Sequence, residues 1–215
     1  MFGLDPAAGR DRPLRLVCLG AHADDVEIGA GGTVLRLLGE RPRVQATVAV
    51  LSGAPDRAAE AQASAADLFA DAEHLDVHTG DHRDGYFPHD AGDIKAWVQA
   101  TLEPLRPDLV LTHRRDDAHQ DHRVVGELAW QTFRGARIVE YEVPKWDGDL
   151  DRPNAYVALD AETVGRKLAL LADHFPSQHG RAWYDAETFR GLMRVRGVEA
   201  GARYAEAFHC AKTVW

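Results

Sequence analysis

The chain has 215 residues, 45% hydrophobic and 27% charged, with a formal net charge of −9. That composition suits a globular domain, and the acidic balance supplies no global basic field for nucleic acid or an anionic membrane. No apolar run approaches the roughly 18 residues of a membrane-spanning helix, and two cysteines, Cys18 and Cys210, suggest no disulfide framework.

Residues 1–12 read as a loose polar lead without a signal-peptide core, so a cytoplasmic location is expected. Leu14 to Leu19 is short and apolar enough for a buried strand, and a helix is expected from about Gly32 to Gly39, entered through a Gly-rich stretch. Val44 to Leu51 is β-rich. Arg57 to Ala70 is an Ala-rich helix, and residues 73–79 form a plausible third strand before a loop over Asp81 to Asp90. Ile94, Val98, Leu102 and Leu105 recur at helical spacing, closed by Pro104 and Pro107. Leu109 to Thr112 is a fourth strand, Gln120 to Phe133 a helix, and Ile138 to Val143 a fifth strand. The alternation of strand and helix with short connections argues for an α/β fold with a mainly parallel sheet covered on both faces. The last third is less regular, with strands over Tyr156 to Leu159 and Ala205 to His209 and helices over Val164 to Ala172 and Asp185 to Val195. No linker or repeat divides the chain, so residues 1–215 are expected to form a single domain.

Two polar clusters each follow an apolar strand: His22, Asp24 and Asp25 after the first, His119, Asp121 and His122 after the fourth. In an open α/β sheet, ligands bind in the crevice beyond the carboxyl ends of the strands. Two imidazoles and one carboxylate form a zinc-binding set that leaves a coordination position for water. His22, Asp25 and His122 are the chosen ligands. Asp24 is free to act as general base. His119 is placed to donate to an oxyanion or a departing amine. Asp121 suits the orientation of a histidine ring, with spacing leaving open whether His119 or His122. His74, His78 and His82 share a helical i, i+4 spacing but fall across a strand and loop, where it aligns nothing. A dinucleotide loop is disfavoured because the glycines do not form GxGxxG and Asp24 and Asp25 would repel a pyrophosphate. Ser52 and Ser177 lack a nucleophile elbow.

The segment GAHADDVEIGAGGT resembles the AHPDD(E) signature of the PIG-L/LmbE-like zinc-dependent N-deacetylases, and HQDH resembles their second motif. Ala23 stands where the family usually has Pro, and Val26 where Glu is frequent. The resemblance implies a Rossmann-like three-layer sandwich, with Zn2+ (or Fe2+ or Co2+) on His22, Asp25 and His122. It implies Asp24 as general base, His119 as oxyanion stabiliser or acid, and Asp121 as the partner orienting His119. Arg57 matches an arginine associated with substrate binding, and Glu206 is expected to face the site. The implied reaction removes an acetyl group from an N-acetylated amino sugar or glycoside, by a homo-oligomer (trimer or hexamer) with a small-molecule substrate and no nucleic-acid or membrane partner. The alternatives are a metal amidase for a non-sugar or thiol-conjugate amide and a non-catalytic carbohydrate-binding homologue.

Overall fold

The computed structural model describes residues 12–41 and 43–212; the polar lead expected over residues 1–12 therefore lies almost wholly outside the described residues. Within them the elements run β1 (Leu14–Gly20), α1 (Asp25–Glu40), β2 (Val44–Ser52), α2 (Pro55–Leu68), β3 (His74–His82), α3 (Ala91–Leu102), β4 (Leu109–His113), α4 (Gln120–Thr132), β5 (Arg137–Tyr141), β6 (Ala155–Leu159), α5 (Ala161–His174), a 3-10 turn (Pro176–Gln178), α6 (Ala186–Ala200) and β7 (Tyr204–His209).

The seven strands form one sheet in the order β3-β2-β1-β4-β5-β7-β6. β1 to β5 are parallel, and β7 runs antiparallel to both β5 and β6. Alternating side chains of β1 explain the layering, because successive residues of a strand point to opposite faces. Leu14, Leu16 and Cys18 join the core beneath α1, α2, α5 and α6, together with Val34, Ala61, Leu168 and Met193. Val17 and Leu19 join the opposite core with Ile94 and Val98 of α3 and Val125 and Ala129 of α4. A strand buried on both faces reads as a continuous apolar run, which is how β1 and β2 stood out in the sequence.

α1 begins at Asp25, not near Gly32, so the Gly-rich stretch lies inside the helix. Its glycines serve close approach. A Cβ at Gly29 would overlap the Tyr141 ring of β5, and one at Gly32 would meet Leu159 and the Glu206 carboxylate. Tertiary packing thus overrides the low helix propensity that made this segment look like a loop. Glu206 of β7 accepts from the backbone N–H groups of Gly32 (2.8 Å) and Thr33 (2.6 Å). Lys167 of α5 bridges that carboxylate and the carbonyl of Ile28, at 2.6 Å each. Glu206, expected from the resemblance to face the site, is instead a packing residue that ties α1, α5 and β7 together.

The order 3-2-1-4-5 reverses between β1 and β4. At their carboxyl ends the chain turns to opposite faces of the sheet and leaves a crevice, the usual ligand position of such folds. Both polar clusters emerge there.

Candidate metal centre

The first loop is a tight turn from β1 into α1. Asp25 closes it by accepting from the His22 backbone N–H at 2.6 Å, without the rigidity of a proline at Ala23. The second loop leaves β4 at His113, and the His119 ring nitrogen Nδ1 caps α4 by accepting from the Asp121 N–H at 3.2 Å. That cap satisfies one of the helix's free N–H groups and leaves the Nε2 of His119 uncommitted.

The turn and the cap bring His22, Asp25 and His122 together. His122 Nε2 lies 3.3 Å from His22 Nδ1 and 3.5 Å from Asp25 Oδ1, and His22 Nδ1 lies 3.4 Å from Asp25 Oδ2. Two metal–ligand bonds of about 2.1 Å at a tetrahedral angle place their donor atoms about 3.4 Å apart. The spacing of the two imidazole nitrogens matches an edge of such a tetrahedron, and the two rings approach different oxygens of the Asp25 carboxylate at similar range, so the trio could hold one ion. Two other groupings of potential ligands exist among the described residues, His22–Asp84–His119 and His113–Asp117–His122. Each competes for a histidine of the first trio, and the His22–Asp84 contact at 3.0 Å uses the opposite ring nitrogen, Nε2. That nitrogen must keep its proton if Nδ1 is to be a neutral ligand.

The ring nitrogens turned away from the trio meet carboxylates. His122 Nδ1 is 3.2 Å from Asp117 Oδ2, and His22 Nε2 is 3.4 Å from Asp121 Oδ2. Carboxylates in that position fix the tautomer and raise the basicity of a ligating histidine. The role expected for Asp121 is thereby corrected. Its carboxylate accepts from the backbone N–H groups of Gly85 (2.6 Å) and Phe87 (3.1 Å) and faces His22, not His119. The loop over 83–90, unreadable in the sequence, supplies those donors, so Asp121 is drawn toward it and away from the His119 ring.

Sequence reasoning passed over two residues here. His113, fully buried, lies 3.0 Å from Asp25 Oδ2 through Nε2 and stacks on His122 with ring centroids 3.8 Å apart. Asp117 is held by Lys145 at 3.0 Å, from the loop after β5. Both stood in the same polar segment as His119, yet nothing in that run of charges singles out which ones turn inward.

The electrostatics follow from burial. It pushes the His122 imidazole down to about 4, reinforced by the charge of His113, so this ring is neutral near pH 7. Burial opposes charge on His22 too, but Asp25, Asp121 and Asp84 outweigh it and hold its pKa well above the ordinary value. Asp25 is buried, which favours its neutral form, but His122, His113 and His22 together hold its carboxyl well below the usual range.

Asp24 is 4% exposed, and burial raises its carboxyl pKa against the opposing pull of Arg57. Oδ1 accepts from Arg57 Nη2 at 2.8 Å. Oδ2 is buried without a partner among the described residues. Such an acceptor is costly to leave unpaired in a folded protein. A cleft of about 720 Å³ lies at the other end of the sheet, between Arg15, Asp108 and Phe133, and holds none of this chemistry.

A doubly covered, mainly parallel sheet with a two-histidine, one-carboxylate trio at its switch point defines a Rossmann-like α/β protein with a candidate metal centre. The chain belongs to the PIG-L family: the family model, GlcNAc-PI de-N-acetylase, matches residues 17–133, which span both clusters. No curated protein matches the chain by sequence. Solved structures with the same fold include the N,N'-diacetylchitobiose deacetylase of Pyrococcus horikoshii bound to an inhibitor (TM-score 0.70, 21% identity, covering 91% of this chain and 82% of that one). They also include GalB, the 4-carboxy-2-hydroxymuconate hydratase of Pseudomonas putida KT2440 (0.71, 18%, 94% and 98%), and a zinc-inhibited form of the teicoplanin deacetylase Orf2 (0.68, 14%, 90% and 96%). At these identities the likeness establishes the fold alone, and the hydratase illustrates that one fold hosts different chemistry.

Proposed function

We propose that this protein is a zinc-dependent N-deacetylase that hydrolyses the acetamide of an N-acetylated amino sugar or glycoside, releasing acetate and a free amine. Family membership supports a deacetylase, and the close approach of His22, Asp25 and His122 supports a divalent metal held by those three side chains. A zinc ion bound there would supply Lewis acidity and lower the pKa of bound water to about 7.

The remaining chemistry falls to the chain. Asp24 takes the proton of the attacking water at Oδ2, the atom left without a partner. His119 presents Nε2 to the carbonyl oxygen as negative charge develops there, because its Nδ1 is committed to the α4 cap. The proton removed by Asp24 then serves the departing amine. Asp117 and Asp121 hold the rings of His122 and His22 in the tautomers that ligation requires. The observation that carries the reading is the His22, Asp25 and His122 cluster with the buried Asp24 carboxylate next to it in sequence.

The test is metal analysis of the purified protein followed by acetate release from a panel of N-acetylated sugars, non-sugar acetamides and a hydratase substrate. Zinc together with acetate release from sugars is expected, and Asp24→Asn should keep the metal while lowering kcat by about 10²–10⁴-fold. Turnover confined to the non-sugar amides, or near-normal turnover by zinc-loaded Asp24→Asn, would overturn the reading. The family resemblance extends the proposal to a homo-oligomer, which sedimentation analysis checks.

A further inference from the structure

We propose that Arg57 acts on Asp24 and not on substrate: Glu60 and Ser177 hold its guanidinium so that it fixes the direction in which Asp24 presents its free oxygen. This rests on the reading of Asp24 as general base.

Arg57 stands in the first turn of α2. Its Nη1 donates to Glu60 Oε2 at 2.7 Å and to Ser177 Oγ at 2.8 Å, so both protons of that nitrogen are engaged. Ser177 lies in the 3-10 turn between α5 and α6, 120 residues away, and is itself fastened to Glu60. Its N–H donates to Oε1 at 2.9 Å and its hydroxyl to Oε2 at 2.7 Å. The guanidinium carbon sits 5.9 Å from the centroid of the Phe175 ring, which is fully buried. The arginine is thus held on one side by a carboxylate, a hydroxyl and a ring, and extends Nη2 to Asp24 Oδ1.

Asp24 has little else to orient it. It occupies the N-cap position of α1, yet its side chain makes no capping hydrogen bond. A carboxylate gripped through one oxygen has its plane set, so Oδ2 faces one direction; released, it turns about two side-chain bonds. Misplacing a reacting group by about 1 Å costs on the order of 10²-fold in rate. Charge argues the same way. Arg57 carries +1, while Asp24 and Glu60 carry −1 each, so the group is net negative and offers no attraction to an anionic part of a substrate. The expectation that Arg57 binds substrate came from resemblance to an arginine of the family. In this chain the donors that would do so are largely turned to protein partners.

The two roles separate in the kinetics of zinc-loaded variants. Arg57→Ala should lower kcat about 10²-fold with KM within about threefold of wild type and with unchanged metal content. Added guanidinium should restore part of that kcat. In the Asp24→Asn background the same substitution should cost nothing further, because groups acting through one another are not additive. A raised KM at normal kcat, or losses that multiply in the double variant, would overturn the positioning role. If Arg57→Ala does not fold, Ser177→Ala tests the same grip from outside: a drop in kcat of about threefold or more at constant KM is expected, and wild-type kcat would refute it. An active Asp24→Asn would refute the base assignment itself, whereas an inactive Asp24→Asn beside an Arg57→Ala with full kcat would refute only the positioning.

Discussion

Glu206→Gln removes a single charge at nearly constant shape and should destabilise the fold severely. Glu206 and Lys167 are each 3% exposed in their side chains, so their charges are shielded from water. Three donors converge on the two oxygens of Glu206: Lys167 Nζ and the N–H of Gly32 on Oε1, and the N–H of Thr33 on Oε2. Glutamine brings one acceptor and two further donors, so at least one N–H meets another N–H. The Lys167 ammonium keeps only the Ile28 carbonyl. Breaking one side of a buried pair costs about 3–5 kcal/mol, a large share of the roughly 5–15 kcal/mol that holds a domain together. At about 2–4 °C per kcal/mol for a chain of this size, the Tm should fall by roughly 6–20 °C. Removing both partners behaves differently. Lys167→Met with Glu206→Leu leaves no uncompensated buried charge, so the double variant should be more stable than Glu206→Gln. Urea unfolding followed by circular dichroism, at constant m, measures all three. A Glu206→Gln protein within about 1 kcal/mol of wild type would refute the reasoning, and so would a double variant less stable than Glu206→Gln. Zinc affinity of the folded Glu206→Gln protein should equal that of wild type, because the residue serves packing.

Further predictions concern the site and its support. Asp117→Asn, which removes the carboxylate on His122 Nδ1, should weaken zinc about 10–100-fold in a competition titration against a chromophoric chelator. Gly29→Ala should cost about 1–3 kcal/mol in urea unfolding, because the new methyl overlaps the Tyr141 ring and pushes α1 away from β5. Burial raises the Glu27 carboxyl to about 7 in the folded chain, partly countered by the Ser64 hydroxyl. The folded state therefore holds this proton more tightly than the unfolded one. Its contribution to stability is complete below the unfolded value near 4.5 and is lost as pH rises through about 7, to the extent of about 3 kcal/mol. Glu27→Gln should remove that fall, which urea midpoints measured from pH 4.5 to 8 report.

What could be read from the sequence was what depends on neighbours along the chain. Apolar runs identify β1, β2 and β4, because strands buried on both faces need no alternation to be seen. The two polar clusters announce themselves because each stands directly after such a strand, where a parallel sheet opens its crevice. His22 and His122 are 100 residues apart, and only the adjacency of β1 and β4 in the sheet brings their nitrogens to 3.3 Å. The start of α1 was misplaced because glycine's low propensity is a local property, whereas the close approach of Tyr141 and Leu159 that demands glycine there is not. Spacing leaves open which histidine Asp121 orients and the family resemblance implies His119, but the backbone donors of Gly85 and Phe87 turn its carboxylate toward His22. Arg57, Glu60 and Ser177 meet only because α2 packs against α5 and the turn that follows it. Donor types are written in the residues; the direction each donor faces is decided by tertiary packing, because a side chain turns toward whichever distant partner spares it an unsatisfied buried charge or hydrogen bond.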